Sequence, residues 1–529
     1  MATPANTPLP RCSRLHLALL VAITFLGGLN RILVAAQRPL WFDEVFSVYS
    51  SQVTSYGDLL RWKNEDPNQP PLSFLLMKGS ATSLGSWDPW AVRLIPVIAG
   101  VLCIPSVFLI GKALGSPRLG IWAAAVAAFD PLLVEQSCTA RMFSLLCLGE
   151  TLTLYLLVMT VATNFSLRYC LGLGLILGAS LWMNQLAWVG WSAAAATLAV
   201  RLAQVYFSRT QRSNFLRACW GAGTAFFISV LIGLPAIDDM LTKRLDQAGS
   251  AVPPSFRQIM SDIYHSLVHL EPVPYVWILV VAAALAGIVW LWLRQGAVVI
   301  PLIAMGILSF VFAVFLRQRH PFFAPRYLTP LLPVVWVGLA TFPALLRPRI
   351  VSVVAQVLLA ALLLFHARHC ADLTTAWKTK YEFLVSQEVA NLRDKIPEGD
   401  RVVFARRNCF VFGRYYHLPV DMELEDQLLL DGRIHPSKKT ALRSSSNATW
   451  LVAARLKKDK HVERGRKCLE KLARAYDVSV SAEEVRKHLR RFRFCVVRVS
   501  VGGIEYSSQD LKGRHKTEKP DAEEPAESP

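Results

Sequence analysis

The sequence predicts an all-α polytopic membrane bundle with a small C-terminal α/β soluble domain. Of its 529 residues, 53% are hydrophobic and only 18% are charged, where a soluble chain of this length carries about a quarter. The charges are also unevenly spread. Between Leu15 and His366 they sit in short clusters that separate long apolar runs, and beyond His366 the chain turns polar. That asymmetry describes a membrane-embedded body followed by a soluble part.

A helix needs roughly 20 apolar residues to cross the hydrocarbon core. Runs of that kind lie near 15–36, 91–113, 118–134, 142–161, 169–183, 186–201, 218–236, 274–293, 296–316, 327–346 and 350–366, which makes about 11 transmembrane helices. The first run is long enough to span and no clear small-residue cleavage site follows it, so it reads as an anchor rather than a signal peptide. Arg11 and Arg14 before it predict a cytoplasmic tail over residues 1–14.

Loop charges support this count. With the N-terminus inside, the inner loops hold Lys112 and Arg118, then Arg168, then Arg201, Arg209, Arg212 and Arg217, then Arg294, then Arg347 and Arg349. All are basic, as cytoplasmic loops should be. The outer loops hold Asp43, Glu44, Asp58, Glu65, Asp66, Asp238 and Asp239. Fusing 169–201 into one helix would move the Arg201–Arg217 cluster outside, so two crossings are expected there. An odd number of crossings places the C-terminal domain outside. The expected arrangement is therefore multi-pass, with the N-terminus cytoplasmic and the C-terminal domain extracytoplasmic, and the expected location is the plasma (inner) membrane.

The expected organisation is a transmembrane domain over 15–366 with a long first outer loop at 37–89, an extracytoplasmic α/β domain over 367–507, and a disordered tail over 508–529. The loop is rich in Trp, Tyr and Leu, which argues for a structured element. Tyr56 to Trp62 has the pattern of a short amphipathic helix at the interface. In the soluble part, Lys380–Lys395 has helical periodicity and His461–Tyr476 reads as a basic helix. Val402–Ala405, Trp450–Ala454 and Cys495–Val501 read as strands. Asn447-Ala-Thr449 matches a glycosylation sequon, a short and weak pattern.

The net charge of +19 raises nucleic-acid binding as a function. Much of the excess lies in short loops between apolar runs, where the positive-inside rule accounts for it, so no nucleic-acid partner is expected. The ten cysteines show no Cys-x-x-Cys or Cys/His spacing, which argues against zinc. Cys370, Cys409, Cys468 and Cys495 fall in the polar part, where disulfides form if that side is oxidising.

The residues with chemical potential gather in the outer loops. Pro39-Leu-Trp-Phe-Asp43-Glu44 follows directly on the first crossing. Adjacent carboxylates at a membrane surface are costly to desolvate unless something uses them. In the same loop Asn68-Gln69-Pro-Pro-Leu72 stiffens the backbone ahead of a short apolar helix. Arg93 opens the second crossing, Glu135 and Arg141 flank the next outer turn, and Arg326-Tyr327 precedes the tenth. The stretch from Arg317 to Tyr327 holds Arg317, Arg319 and Arg326 where the charge rule expects few cations, which suggests an anionic ligand.

These motifs, in this order, resemble the GT-C glycosyltransferases: Asp43-Glu44 after the first helix, Pro70-Pro-Leu72 in the same loop, Ala140-Arg-Met-Phe-Ser-Leu145 at the fourth helix and Pro325-Arg-Tyr-Leu328 near a late helix. The similarity is to the bacterial branch with lipid A aminoarabinose transferase, the rhizobial galacturonosyltransferases and the protein O-mannosyltransferases. It covers roughly residues 15–366. The chain departs from the pattern at Gln69, where members often have His, at Cys138-Thr-Ala-Arg141 for Gln-Glu-Ala-Arg, and at Met183-Asn-Gln, where many have a His. The acid missing at Thr139 leaves Glu135, one helical turn earlier, as the candidate second carboxylate.

The resemblance implies a sugar donor on a polyprenyl phosphate, a hydroxyl-bearing acceptor (lipid, glycan or protein) and contact with membrane lipid. Asp43 would be the general base, with Glu44 orienting it or holding a divalent cation; two carboxylates alone do not specify a metal. Arg141 and Arg326 would hold the leaving phosphate, backed by Arg317 and Arg319, while Tyr327, Gln69, Glu135 and Arg93 line the substrate site. The alternative function is a lipid or sugar transporter or flippase. Transporters place ionisable groups at mid-membrane and show repeated halves, whereas here charges cluster at the outer helix ends and the halves look unrelated.

Overall fold

The computed structural model describes residues 12–37, 40, 42–61, 70–208, 214–243, 257–261, 274–319, 324–345 and 349–378, four strands after residue 400, and a few isolated positions. The chain divides into two compact units, Met1–Lys378 and Thr379–Pro529.

In the first unit the helices are α1 (Arg14–Gln37), α2 (Phe42–Val53), α3 (Tyr56–Leu60), α4 (Leu72–Leu84), α5 (Pro89–Ala113), α6 (Pro117–Phe129), α7 (Pro131–Ser137) and α8 (Phe143–Ala162). There follow α9 (Leu167–Leu181), α10 (Trp188–Phe207), α11 (Phe215–Lys243), α12 (Pro274–Gln295), α13 (Ile300–Arg319), α14 (Leu332–Leu345) and α15 (Arg349–Lys378). A helix overlaps each of the eleven predicted crossings. Among the described residues, eight helical stretches are long and apolar enough to cross a membrane, or nine with the bent pair α6–α7. One of these, Ile278–Gln318, has 41 residues. At about 1.5 Å per residue it would reach about twice the ~30 Å apolar thickness. It breaks at the 3-10 turn Gly296–Val299, where Gly296 has φ 58°. The protein is a multi-pass membrane protein.

Local chemistry fixes the ends of these helices. Ser116 accepts a hydrogen bond from Leu119 N, and Pro117 starts α6 where no N–H is needed. The predicted single crossing at 118–134 is broken by Asp130-Pro131, with a 58° bend. Pro131 cannot continue the ladder, and the Asp130 carboxylate caps α7 by accepting from Leu133 N at 2.8 Å. The carbonyls left at the end of α6 are taken by Arg31 of α1, fully buried, which donates to Ala127 O at 3.0 Å and Ala128 O at 2.8 Å. Trp336 of α14 donates to the other Asp130 oxygen at 3.0 Å. Between α9 and α10 the chain is interrupted as predicted, with Asn184 capping a short turn.

Small residues bring these helices together. A Cβ on Gly111 of α5 would strike the backbone of Gly120 in α6, and one on Gly338 of α14 the backbone of Ala284 in α12. Close backbone approach of this kind drives association where lipid is as apolar as the side chains. The core between α5, α6, α8, α12, α13 and α14 holds Ile104, Ala124, Leu154, Leu291, Leu302 and Trp336. By contrast α1 exposes Leu15, Val21 and Phe25, and α15 exposes Val353, Leu358 and Leu364, the faces expected against lipid. The last helix runs to Lys378. Cys370, expected in the polar part, is buried within it and carries no disulfide.

In the second unit the strands are β1 (Arg401–Phe404), β2 (Thr449–Ala454), β3 (Phe494–Ser500) and β4 (Gly503–Tyr506), in the order β1-β2-β3-β4. β1 and β2 are parallel and the other pairs antiparallel. The first three match the strands expected from the sequence; β4 was not anticipated. The predicted helices at 380–395 and 461–476, and the tail beyond 508, lie outside the described residues.

Candidate active site

The site is built around α2, whose first turn carries Asp43 and Glu44. The two neighbours go to different places. Glu44 is fully buried; it accepts from Arg93 Nε and Nη2, each at 2.8 Å, and from the Ala140 backbone N–H at 2.6 Å. Arg93, also fully buried, gives its third nitrogen to Ala35 O at 2.9 Å. This bidentate pair ties α2 to the end of α1, the start of α5 and the turn between α7 and α8. At the far end of α2, Lys78 of α4 donates to the carbonyls of Ser51, Gln52 and Thr54 at 2.9, 3.2 and 2.9 Å. Lysine near a helix C-terminus satisfies carbonyls that have no helical partner.

With α2 held at both ends, Asp43 is placed in a partly exposed position. Its Oδ2 accepts from Arg326 Nη1 at 2.9 Å, and the two side chains are 24% and 23% exposed. Arg141 Nη1 donates to the Asp43 carbonyl at 3.2 Å and to Ser47 Oγ at 2.7 Å. Arg326 opens the 3-10 segment Pro325–Leu331. Its guanidinium lies 5.5 Å from the Phe143 ring centroid and 5.8 Å from that of Tyr327, within cation–π range. Tyr327 meets Phe143 edge to face at 6.4 Å.

Of the residues predicted from sequence, Asp43, Arg141, Arg326 and Tyr327 therefore come together at one end of the bundle, although Asp43 and Arg326 are 283 positions apart. Glu44 and Arg93 adjoin this cluster as a buried pair. Arg317 is buried in the last turn of α13, and Glu135 is half-buried on α7. Arg319 closes α13, but its side chain lies outside the described residues, as does Gln69. Pro70-Pro71 is described: it precedes α4, and Leu72 N donates to Trp182 O at 3.0 Å. Among the described residues no group of three or more His, Cys, Asp or Glu is placed to hold a metal ion. Sequence reasoning passed over Ser47, Lys78 and Phe143, and over Arg31, Asp130 and Glu150 inside the apolar runs. An ionisable residue in an apolar run was the available signal for the last three.

Solved structures repeat this arrangement of helices. ArnT from Cupriavidus metallidurans, bound to undecaprenyl phosphate, superposes with a TM-score of 0.55 at 14% identity, covering 84% of this chain and 94% of its own. This chain therefore shares its fold with ArnT. The archaeal oligosaccharyltransferase AglB from Archaeoglobus fulgidus, in complex with an inhibitory peptide and a dolichol-phosphate, matches at TM-score 0.52 and 11% identity. It covers 94% of this chain and 75% of its own. A family model described as dolichyl-phosphate-mannose-protein mannosyltransferase matches residues 68–232, a stretch that contains Arg93 and Arg141 and ends before Arg326. No curated protein matches the chain.

Proposed function

We propose that this protein is a membrane glycosyltransferase that moves a sugar from a polyprenyl-phosphate carrier to a hydroxyl acceptor on the outer face of the membrane. The observation that carries this reading is the meeting of Asp43 with Arg326 at 2.9 Å, beside Arg141 and at the end of a GT-C bundle. A proton acceptor and a guanidinium suited to phosphate stand side by side, where a lipid-linked headgroup would lie.

In the proposed reaction the acceptor oxygen attacks the anomeric carbon as its proton passes to the Asp43 carboxylate. The bond from that carbon to the phosphate oxygen breaks, and its electron pair leaves on the phosphate. That oxygen is already a good leaving group, so no general acid is needed. Arg326 and Arg141 stabilise the charge that collects there. Glu44 and Arg93 act through position: they set the start of α2 and keep Asp43 facing the pair of guanidinium groups. The same reading takes the eleven-crossing order with the site end outside and the N-terminus cytoplasmic.

The test is single-turnover transfer by the purified protein in lipid nanodiscs loaded with a sugar-bearing polyprenyl phosphate. Native protein should release polyprenyl phosphate together with glycosylated acceptor. Absence of both products across a panel of lipid-linked sugars and hydroxyl acceptors would contradict the reading.

A further inference from the structure

The two groups given separate jobs above hold each other in this structure. Asp43 Oδ2 accepts the Arg326 Nη1 hydrogen at 2.9 Å, so the carboxylate that would receive the acceptor's proton is paired with the cation that would receive the donor's phosphate, and a cation so placed makes a carboxylate less basic. The pair is open to a ligand, at 24% and 23% exposure, unlike Glu44–Arg93 at 0% on both sides. A partly exposed ion pair separates at little cost.

We propose that Arg326 is an exchangeable lock on the base. Without donor it holds Asp43; the phosphodiester of the donor draws it away, and the released Asp43 carboxylate becomes a stronger base for the acceptor hydroxyl. The inference rests on the glycosyl-transfer reading. The chemistry favours exchange because a phosphodiester offers two unesterified oxygens at a spacing that a guanidinium fork can grip together. The surroundings favour a side-chain swing rather than a backbone shift. Pro325 stiffens the backbone before Arg326, and the Thr329 hydroxyl donates to the Arg326 carbonyl. The rings of Phe143 and Tyr327 give the guanidinium a surface to turn against. Donor would therefore bind before the acceptor is activated.

Equilibrium binding of undecaprenyl phosphate to the purified full chain in detergent tests this directly. Asp43→Asn removes the competing charge and should tighten binding about fivefold, the size of a partly exposed ion pair. Arg326→Ala should weaken it, and adding Asp43→Asn to Arg326→Ala should restore nothing. If Arg326→Ala weakens binding but Asp43→Asn leaves it unchanged or weaker, the phosphate site stands and the lock does not. If native protein and Arg326→Ala bind alike, or native protein does not bind, the phosphate contact fails and the lock falls with it. Unfolding midpoints near native identify variants fit for comparison. Asp43→Ser makes the same comparison should Asp43→Asn not fold.

Discussion

Glu44 and Arg93 form a fully buried bidentate pair, each guanidinium nitrogen 2.8 Å from a carboxylate oxygen, while Asp43, one residue earlier, stays partly exposed. Adjacent carboxylates on one helix turn thus have different surroundings. One is paired in the interior and the other lies partly exposed beside Arg326. The difference predicts two kinds of loss on substitution.

Removing one member of a buried ion pair typically costs about 3–5 kcal/mol, because the partner's charge is left without compensation. Glu44→Ala should therefore lower the unfolding midpoint and transfer together. Glu44→Gln, which keeps the shape and some hydrogen bonding, should be milder. Thermal unfolding of the purified variants checks this; a Glu44→Ala protein as stable as native would show that the pair does not fix α2.

Lys78 serves three carbonyls at the end of α2. Lys78→Met leaves them without that donor, a loss of about 1–3 kcal/mol if they stay dry. Hydrogen exchange should quicken across Phe42–Val53 and less elsewhere. Unchanged protection there would mean that α2 is held by other contacts.

Gly190 of α10 lies directly against the carboxyl of Glu150 in α8, in the space a Cβ would fill. Gly190→Ala should destabilise by about 1–3 kcal/mol through overpacking, and Glu150→Ala in the same chain should recover most of that loss. A double variant no more stable than Gly190→Ala would place the strain elsewhere.

The topology prediction concerns the membrane. Single cysteines placed in the Arg201–Arg217 loop should label only from the cytoplasmic side, and those beyond Lys378 only from outside. Labelling beyond Lys378 from the cytoplasmic face would remove the odd number of crossings.

The helices were legible because each crossing needs about 20 apolar residues and little else. Asp43, Arg141 and Arg326 were legible because each sits at the end of such a run, where a charge is conspicuous. Pairing was not. Nothing local to Glu44 indicates that Arg93, 49 positions away, will take its carboxylate rather than a cation or Asp43. The break at Asp130-Pro131 had a readable signal, an acid and a proline inside an apolar run, yet mean hydropathy alone carries the crossing straight through it. Strand β4 was missed because Gly503 to Tyr506 is four residues long and begins on glycine, which favours turns.

The central claim is that Asp43 takes the acceptor's proton, and Asp43→Asn separates that role from all others. Asparagine keeps the size and the hydrogen-bonding shape but cannot accept a proton. Donor binding and single-turnover transfer, measured side by side on the same preparation, should show donor bound at least as tightly as by native protein. Transfer should fall about a hundredfold to ten-thousandfold, the usual loss when a general base is removed. Near-native transfer by Asp43→Asn would contradict the account and assign the proton to another carboxylate, with Glu135 the first to test.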